Sequence, residues 1–168
     1  MSISSPLPSS CSEMPDNLEQ EIQEYRKDRS LIFHLMYAME IFDYDISLAS
    51  LIDNFNRGFE LEIDPNSDIA EIAQAVIDQR DALDEQIKPL LANWRFDRIG
   101  ICTKLILRLA IWELLHTDTD AKIVINEAIE LAKCFAERDA YKFINGILDE
   151  LVKRLGKSTV TSQPTVSE

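Results

Sequence analysis

The sequence predicts an all-α protein of about six to seven helices. Apolar residues recur at spacings of three and four along several segments, which is the period of an amphipathic helix. The chain has only 4 glycines in 168 residues, and no segment shows the regular alternation that is typical of a strand. Residues 105–115 are apolar on nearly every face apart from Arg108 and Glu113. Such a run is buried on several sides, so we predict that it forms the central helix.

Three helices are predicted before the central one. The first covers approximately residues 15–39, and its early charges are all acidic. The second begins near Ile46 and ends at Gly58, a residue whose freedom suits the C′ position. A long third helix follows Ser67, which suits the N-cap, and continues to about residue 91, where Pro89 bends or ends it.

Two more helices are predicted after the central one. The apolar positions of the first are Ile125, Ala128, Ile129, Ala132 and Phe135, and those of the last are Phe143, Ile144, Ile147, Leu148, Leu151, Val152 and Leu155. Asp139 suits the N-cap of the last helix because its carboxylate can accept hydrogen bonds from unpaired N–H groups. Gly156 suits the C′ position at its other end.

Composition indicates one helical domain, at residues 15–156, between two disordered tails. The tails, residues 1–14 and 157–168, are rich in Ser, Thr and Pro and have no hydrophobic period. Three widely spaced cysteines, without a Cys-x-x-Cys pair, are typical of reduced thiols in a cytoplasmic protein. No signal peptide is visible, and the central run is shorter than the roughly 20 apolar residues of a membrane span.

The residues do not predict an enzyme, a cofactor or a metal site. His34 and His116 have no Cys or carboxylate partner at metal-ligand spacing, so we interpret both as helix-surface or core-edge residues. No nucleophile stands beside a base, and no glycine-rich loop could hold a phosphate. Arg108 lies between leucines in a buried helix, so its charge must be paired. We expect its partner to be Glu127 or Glu130.

The cations are few but clustered. The formal net charge of −13 repels nucleic acid at long range, so RNA binding would need a local basic surface. Single-stranded RNA is bound by cations that contact phosphates and by aromatic rings that stack on bases. Three groups of residues have part of this composition, although each could also be an ordinary solvated surface charge. The groups are Arg26, Lys27 and Arg29; Arg95, Arg98 and Lys104; and Lys133, Arg138 and Lys142 beside Tyr141 and Phe143.

Four blocks of the second half resemble, in order and spacing, the NusB family of bacterial transcription antitermination factors. They are Trp94-Arg-Phe-Asp-Arg-Ile99, Ile106-Leu-Arg-Leu-Ala-Ile-Trp-Glu-Leu-Leu115, Ile125-Asn-Glu-Ala-Ile-Glu-Leu-Ala-Lys133 and Lys142-Phe-Ile-Asn-Gly-Ile-Leu-Asp149. Together they cover about a third of the chain. The first helix gives a weaker match, through Arg26-Lys-Asp-Arg29 and Tyr37.

This resemblance implies two small packed helical bundles, no enzymatic activity and no cofactor. Family members bind single-stranded boxA RNA together with NusE, a small-subunit ribosomal protein, in the RNA polymerase antitermination complex, notably on ribosomal RNA operons. The RNA contacts it implies for this sequence are Arg26, Lys27, Arg29 and Tyr37 on the first helix, and Asp139, Lys142 and Phe143 near the start of the last helix.

The sequence also departs from the family pattern. Its arginine tract is short, is broken by Asp28 and follows five acids. Ala75 stands where the family usually has glycine, and Cys102-Thr103 where it tends to have an apolar residue and aspartate. The alternative is therefore a protein-interaction module on the same fold, which has lost RNA binding and could form a homodimer. A third hypothesis is the NusB-like domain that is attached to ribosomal RNA methyltransferases. It is disfavoured because the chain ends soon after that domain, which leaves no room for a catalytic one.

Overall fold

The computed structural model of the protein describes residues 16–157, and the predicted all-α class is confirmed there. The predicted tails lie outside the described residues, except for Lys157. Seven α-helices are present in the described part: α1 (Asp16–Ile41), α2 (Leu48–Phe59), α3 (Asp68–Asp78), α4 (Arg80–Ile87), α5 (Ile101–His116), α6 (Ala121–Phe135) and α7 (Ala140–Arg154). Two 3₁₀ turns, Lys88–Leu90 and Phe96–Arg98, lie between α4 and α5.

Helix α5 is the centre of the molecule, as its apolar sequence predicts. It packs against α1, α4, α6 and α7. Leu107 and Ile111 are fully buried, and Leu105 and Leu114 are each 1% exposed. Around this helix the chain forms two small bundles, one in which α1 packs against α2 and α3, and one built from α5, α6 and α7.

Two of the predicted helix ends are confirmed. The Ser67 hydroxyl accepts a hydrogen bond from the Ala70 amide and caps α3. At the end of α7, Gly156 has a φ of 66°, a left-handed conformation that glycine adopts without strain. The Lys157 amide then donates to the Val152 carbonyl, 3.2 Å away, so the last turn closes as a Schellman motif.

Gly58 does not end α2 as predicted. The helix continues to Phe59, and Glu60 takes the left-handed conformation with a φ of 52°. A side-chain contact with the following loop accompanies the longer helix. The Asn56 side chain donates to the Ile63 carbonyl and accepts from the Ile63 amide, both at 2.9 Å, and so sets the path of the chain after α2.

The predicted long third helix is two helices, α3 and α4, which separate at Gln79. Gln79 has a φ of −97° and a ψ of 10°, outside helical geometry. Arg80 Nη1 donates to the Ile77 carbonyl at 2.8 Å and so satisfies an acceptor at the end of α3. The break allows α4 to lie in a different direction from α3 and to pack against α5. Helix α4 ends at Ile87, before Pro89.

Arg108 forms the buried ion pair that its position predicts, but its partners are different. Its guanidinium binds Asp84 of α4 through two hydrogen bonds, of 2.7 and 2.8 Å, and Glu40 of α1 lies 3.5 Å away. Glu127, one expected partner, pairs with Arg26 instead. Glu130, the other, lies 3.5 Å from Lys133. The partner comes from α4 because the break at Gln79 allows that helix to lie along α5.

In residues 16–157, no helix combines the length and the apolar character that crossing a bilayer requires.

Replacing Asp84 with Ala should lower the free energy of unfolding by about 3 kcal/mol, because Arg108 would remain buried without its main partner. Urea denaturation followed by circular dichroism measures this. The matched control is Asp53→Ala, which removes an acid that pairs with Arg57 on the surface of α2. That change should cost no more than about 0.5 kcal/mol. Equal costs for the two variants would show that the Arg108 pair is not a buried constraint.

Candidate nucleic-acid interface

Helices α1 and α6 lie side by side and run in the same direction. Arg26 of α1 contacts Glu127 of α6, and Phe33 stacks on Phe135 about two turns further along both helices, with ring centroids 5.0 Å apart. The two predicted cationic regions, on α1 and at the α6–α7 junction, therefore share one side of the molecule.

Arg26 is exposed but not free. Its Nε and Nη2 atoms donate to the two carboxylate oxygens of Glu127, at 2.8 and 2.9 Å. The Arg26 side chain is 51% exposed while that of Glu127 is 7% exposed, so the pair sits at the edge of the core. Arg26 and Lys133 also line one shallow groove of about 380 Å³ between α1 and α6. Lys27, the next residue, is exposed and has no ion-pair partner among the described residues.

Arg29 lies below the surface, and the expectation that it is a surface residue is wrong. It is 8% exposed and forms an ion pair with Glu113 of α5, which is 1% exposed. The Tyr25 hydroxyl donates to the same carboxylate, and the Arg29 guanidinium lies 4.0 Å from the Tyr25 ring centroid. Burial raises the pKa of Glu113, against the opposing effects of Arg29 and Tyr25. Burial and the Glu113 charge raise the pKa of Tyr25, so its hydroxyl keeps its proton.

Tyr37 belongs to an aromatic group between α1 and α6. It is 40% exposed and its ring lies 6.3 Å from that of Phe33. Phe135 stacks on Phe33, contacts the His34 ring edge-on at 4.9 Å, and is itself 38% exposed. The sequence pattern placed Phe135 on an apolar face and did not predict that its ring is exposed beside His34. Its position as the last residue of α6, between Lys133 and Arg138, was the available signal.

The α6–α7 junction contains cations arranged around one ring. Lys133 Nζ lies 5.3 Å from the Tyr141 ring centroid, and Lys142 Nζ lies 5.8 Å from it. Lys142 and Arg138 are exposed. The structure thus brings together the end of α6 and the start of α7, as the third cation group of the sequence predicts.

Asp139 occupies the N-cap position of α7 but does not cap the helix with its side chain. Its φ is 66°, a left-handed conformation, whereas capping residues have an extended backbone. No cap hydrogen bond forms, and the carboxylate lies 3.5 Å from Lys142 Nζ instead. The carboxylate of Asp139 is therefore exposed at the turn between the two helices.

Phe143 is half-buried and contacts Trp94, from the connection between α4 and α5. The two rings meet edge-on at 5.5 Å, and Trp94 is 65% exposed. The Trp94 amide donates to the Leu91 carbonyl at 2.8 Å, which holds the connection in a turn.

These contacts define a group of residues that we call the basic–aromatic strip. Arg26 and Lys133 share a groove, Lys133 and Lys142 both lie near the Tyr141 ring, and Phe143, which follows Lys142 in the chain, contacts Trp94. In residues 16–157, no group of three or more His, Cys, Asp or Glu side chains could hold a metal ion. His34 and His116 are exposed, and each is hydrogen-bonded to a carbonyl of its own helix, at 2.6 and 3.0 Å.

Fold and site together define a small all-helical protein that has a net charge of −13 and a basic and aromatic strip. The model of the NusB family matches residues 26–153. "Transcription antitermination protein NusB" of Staphylococcus haemolyticus (strain JCSC1435) is 38% identical over 126 residues, which are 75% of this chain and 97% of the relative. Its counterpart in Staphylococcus aureus (strain JH9) is 37% identical over 131 residues, with 76% and 98% covered.

The chain belongs to the NusB family. A solved structure of T. maritima NusB agrees, with a TM-score of 0.64 and 27% identity over 76% of this chain and 89% of that one. The resemblance read from four sequence blocks is thereby confirmed.

Replacing Arg29 with Ala should lower the free energy of unfolding by about 3 kcal/mol, because Glu113 would be left as an unpaired buried charge. The matched control, Lys27→Ala, removes an exposed cation two positions away and should change the free energy of unfolding by no more than about 0.5 kcal/mol. Thermal melting followed by circular dichroism compares the two variants. If both melt as the unsubstituted protein does, Arg29 has no structural role.

Proposed function

We propose that this chain is a transcription antitermination factor that binds single-stranded boxA-type RNA together with NusE. In this role it would join the RNA polymerase antitermination complex and regulate termination, notably on ribosomal RNA operons. Membership of the NusB family and the names of the curated relatives support the proposal. The observation that carries the RNA-binding part is the grouping of cations and aromatic rings in the basic–aromatic strip, above all Lys133 and Lys142 beside Tyr141.

The strip has the chemistry that single-stranded RNA requires. Lysine and arginine side chains neutralise phosphates, and exposed aromatic rings stack on unpaired bases. Lys142 and Lys133 lie against a tyrosine ring, so a cation and a stacking surface occur within one short distance. A base stacked there would place its phosphate near a positive charge.

The proposed roles of the RNA-binding residues differ with their exposure. Lys27 and Lys142 would contact phosphates, with Arg26 contributing the part of its charge that Glu127 does not neutralise. Tyr37 and Phe143 would stack on bases. The exposed carboxylate of Asp139 could accept hydrogen bonds from base amino groups.

Arg29 would act from below the surface. Its ion pair with Glu113 fixes α1 against α5, and so holds Lys27 and Tyr37 in place. Its own charge would not reach the RNA.

NusE would be needed for firm binding. The chain carries a net charge of −13, and the strip offers few cations, so the phosphates are weakly attracted to the protein alone. NusE bound to both this protein and the same RNA would hold the RNA near the basic–aromatic strip, and so raise its effective concentration there.

A second candidate function is a protein-interaction module on this fold, one that has lost RNA binding and could be dimeric. The ion pairs favour it: Glu127 and Glu113 take up the charges of Arg26 and Arg29, and only Lys27 of the α1 cations has no ion-pair partner in the described part of the chain. The exposed cations Lys27, Lys133 and Lys142 oppose it, because lysine is depleted at protein–protein interfaces.

Fluorescence anisotropy of a labelled boxA-like RNA, titrated with the protein alone and with NusE at two salt concentrations, separates the two functions. We expect salt-sensitive binding that NusE strengthens. No RNA binding in either case, with NusE still bound, would establish the interaction module.

Replacing Lys27 or Lys142 with Ala should weaken RNA binding and lower the slope of log K against log salt by about 0.7 for each, the value for one phosphate contact on a single strand. The same titration at several salt concentrations measures this slope. The control is Arg154→Ala, which removes an exposed cation at the far end of α7. An equal loss of slope in the control would mean that general charge, and not a specific contact of Lys27 or Lys142, attracts the RNA.

A further inference from the structure

We propose that Glu137 is a positioning residue that latches the α6–α7 junction onto the start of α5. This inference rests on the proposed function, because the junction presents Arg138, Asp139 and Lys142 to the RNA. Glu137 would not touch the RNA itself.

The Glu137 carboxylate makes two contacts at the first turn of α5. Thr103 Oγ1 donates to Glu137 Oε2 at 3.0 Å. The other oxygen, Oε1, lies over Gly100, so close that a methyl group on that residue would be only 1.5 Å from it. Glycine at this position therefore leaves the space in which the carboxylate sits. The φ of Gly100 is −60°, so its backbone conformation does not require glycine.

The start of α5 has an electrostatic reason to attract this carboxylate. The first turn of α5 contains no acidic residue, and Gly100 provides no side-chain cap. The positive end of the helix dipole is thus without a negative group of its own. Thr103 is 3% exposed, so without Glu137 its hydroxyl would have little access to another partner. Burial and then the Glu137 charge raise the pKa of Cys102, which places that charge at the same turn.

The latch is mechanically connected to the residues of the strip. The Glu137 carbonyl accepts a hydrogen bond from the Ala140 amide at 3.0 Å, which closes the turn into α7. The Lys142 amide donates to the Asp139 carbonyl at 3.1 Å within the same turn. The side chain of Glu137 therefore fixes the junction from one side while its backbone fixes the start of α7.

The two roles that Glu137 could have, a plain negative charge near the RNA or a positioning group, predict opposite changes in RNA affinity when the residue is removed. If the carboxylate were only a negative charge near the RNA, its loss would reduce repulsion and tighten binding. If it positions the junction, its loss should weaken binding although repulsion falls. The sign of the change decides between the two roles.

The test uses the full chain with NusE and labelled boxA-like RNA. Glu137→Ala, Thr103→Val and Gly100→Ala each break the latch in a different way, and each should weaken RNA binding by about two- to fivefold, the effect of one lost hydrogen bond. The salt slope should stay unchanged, since no cation is lost. Glu137→Gln keeps an acceptor for Thr103 and should retain most of the affinity.

Two controls make the test specific. Glu130→Gln neutralises an acid that lies 3.5 Å from Lys133 and should tighten binding, as a plain loss of charge does. In a chain that already has Glu137→Ala, the added Gly100→Ala change should have no further effect, because the atoms it displaces are absent. Tighter binding by Glu137→Ala, or additive effects of the two changes, would overturn the latch.

Amide hydrogen exchange at residues 136–140, measured without RNA, separates this inference from the proposed function. Exchange there should increase in the three latch variants by more than it does at the buried amides of α5, since the opening is local to the junction. If the unsubstituted protein binds no RNA, the proposed function fails, and with it the role of Glu137 in binding. If it binds RNA but exchange and affinity are the same in all variants, the latch alone fails.

Discussion

The burial of α5 is the constraint on which the rest of the structure depends. This helix is surrounded on nearly every side, yet it carries two charged residues, Arg108 and Glu113, that are 7% and 1% exposed. A buried charge without a partner is strongly destabilising, whereas a buried pair adds little net stability. The helices that supply the partners are therefore restricted in how they can lie. Asp84 fixes α4 against α5, and Arg29 fixes α1.

This constraint divides the cations of α1 between structure and binding. Arg29 belongs to the core, Arg26 is shared with a carboxylate at the edge of the core, and Lys27 remains exposed. A short basic tract in the sequence thus becomes three residues with three different environments. The larger part of the exposed basic and aromatic surface lies instead at the α6–α7 junction, where Lys142 and Tyr141 meet.

Elements that depend on neighbouring residues could be predicted from the sequence. Apolar periodicity gave the helices, and the caps at Ser67 and Gly156 were recognised because each acts within one turn of its own helix. The helix break at Gln79 and the left-handed conformations of Glu60 and Asp139 were not predicted. Their backbone conformations depend on contacts made by other side chains or on the packing of the following helix, which a local pattern does not contain.

For the candidate site, the types of residue could be predicted from the sequence, but their exposure and contacts could not. The cation groups and the rings at Tyr37 and Phe143 were visible as residue types near one another in the sequence. The exposure of Phe135, the burial of Arg29 and the contact between Trp94 and Phe143 were not, because each depends on segments that are distant along the chain.

The sequence alone determined the helical class, the central position of α5 and the family, because periodicity, apolar content and ordered motifs are properties of the chain itself. Only the tertiary structure decided which acid pairs with which arginine, and therefore which cations remain at the surface. The physical reason is that several acids were suitable partners for Arg108 by charge. The choice among them was made by the direction of α4 after its break at Gln79, which brings Asp84 within 2.7 Å.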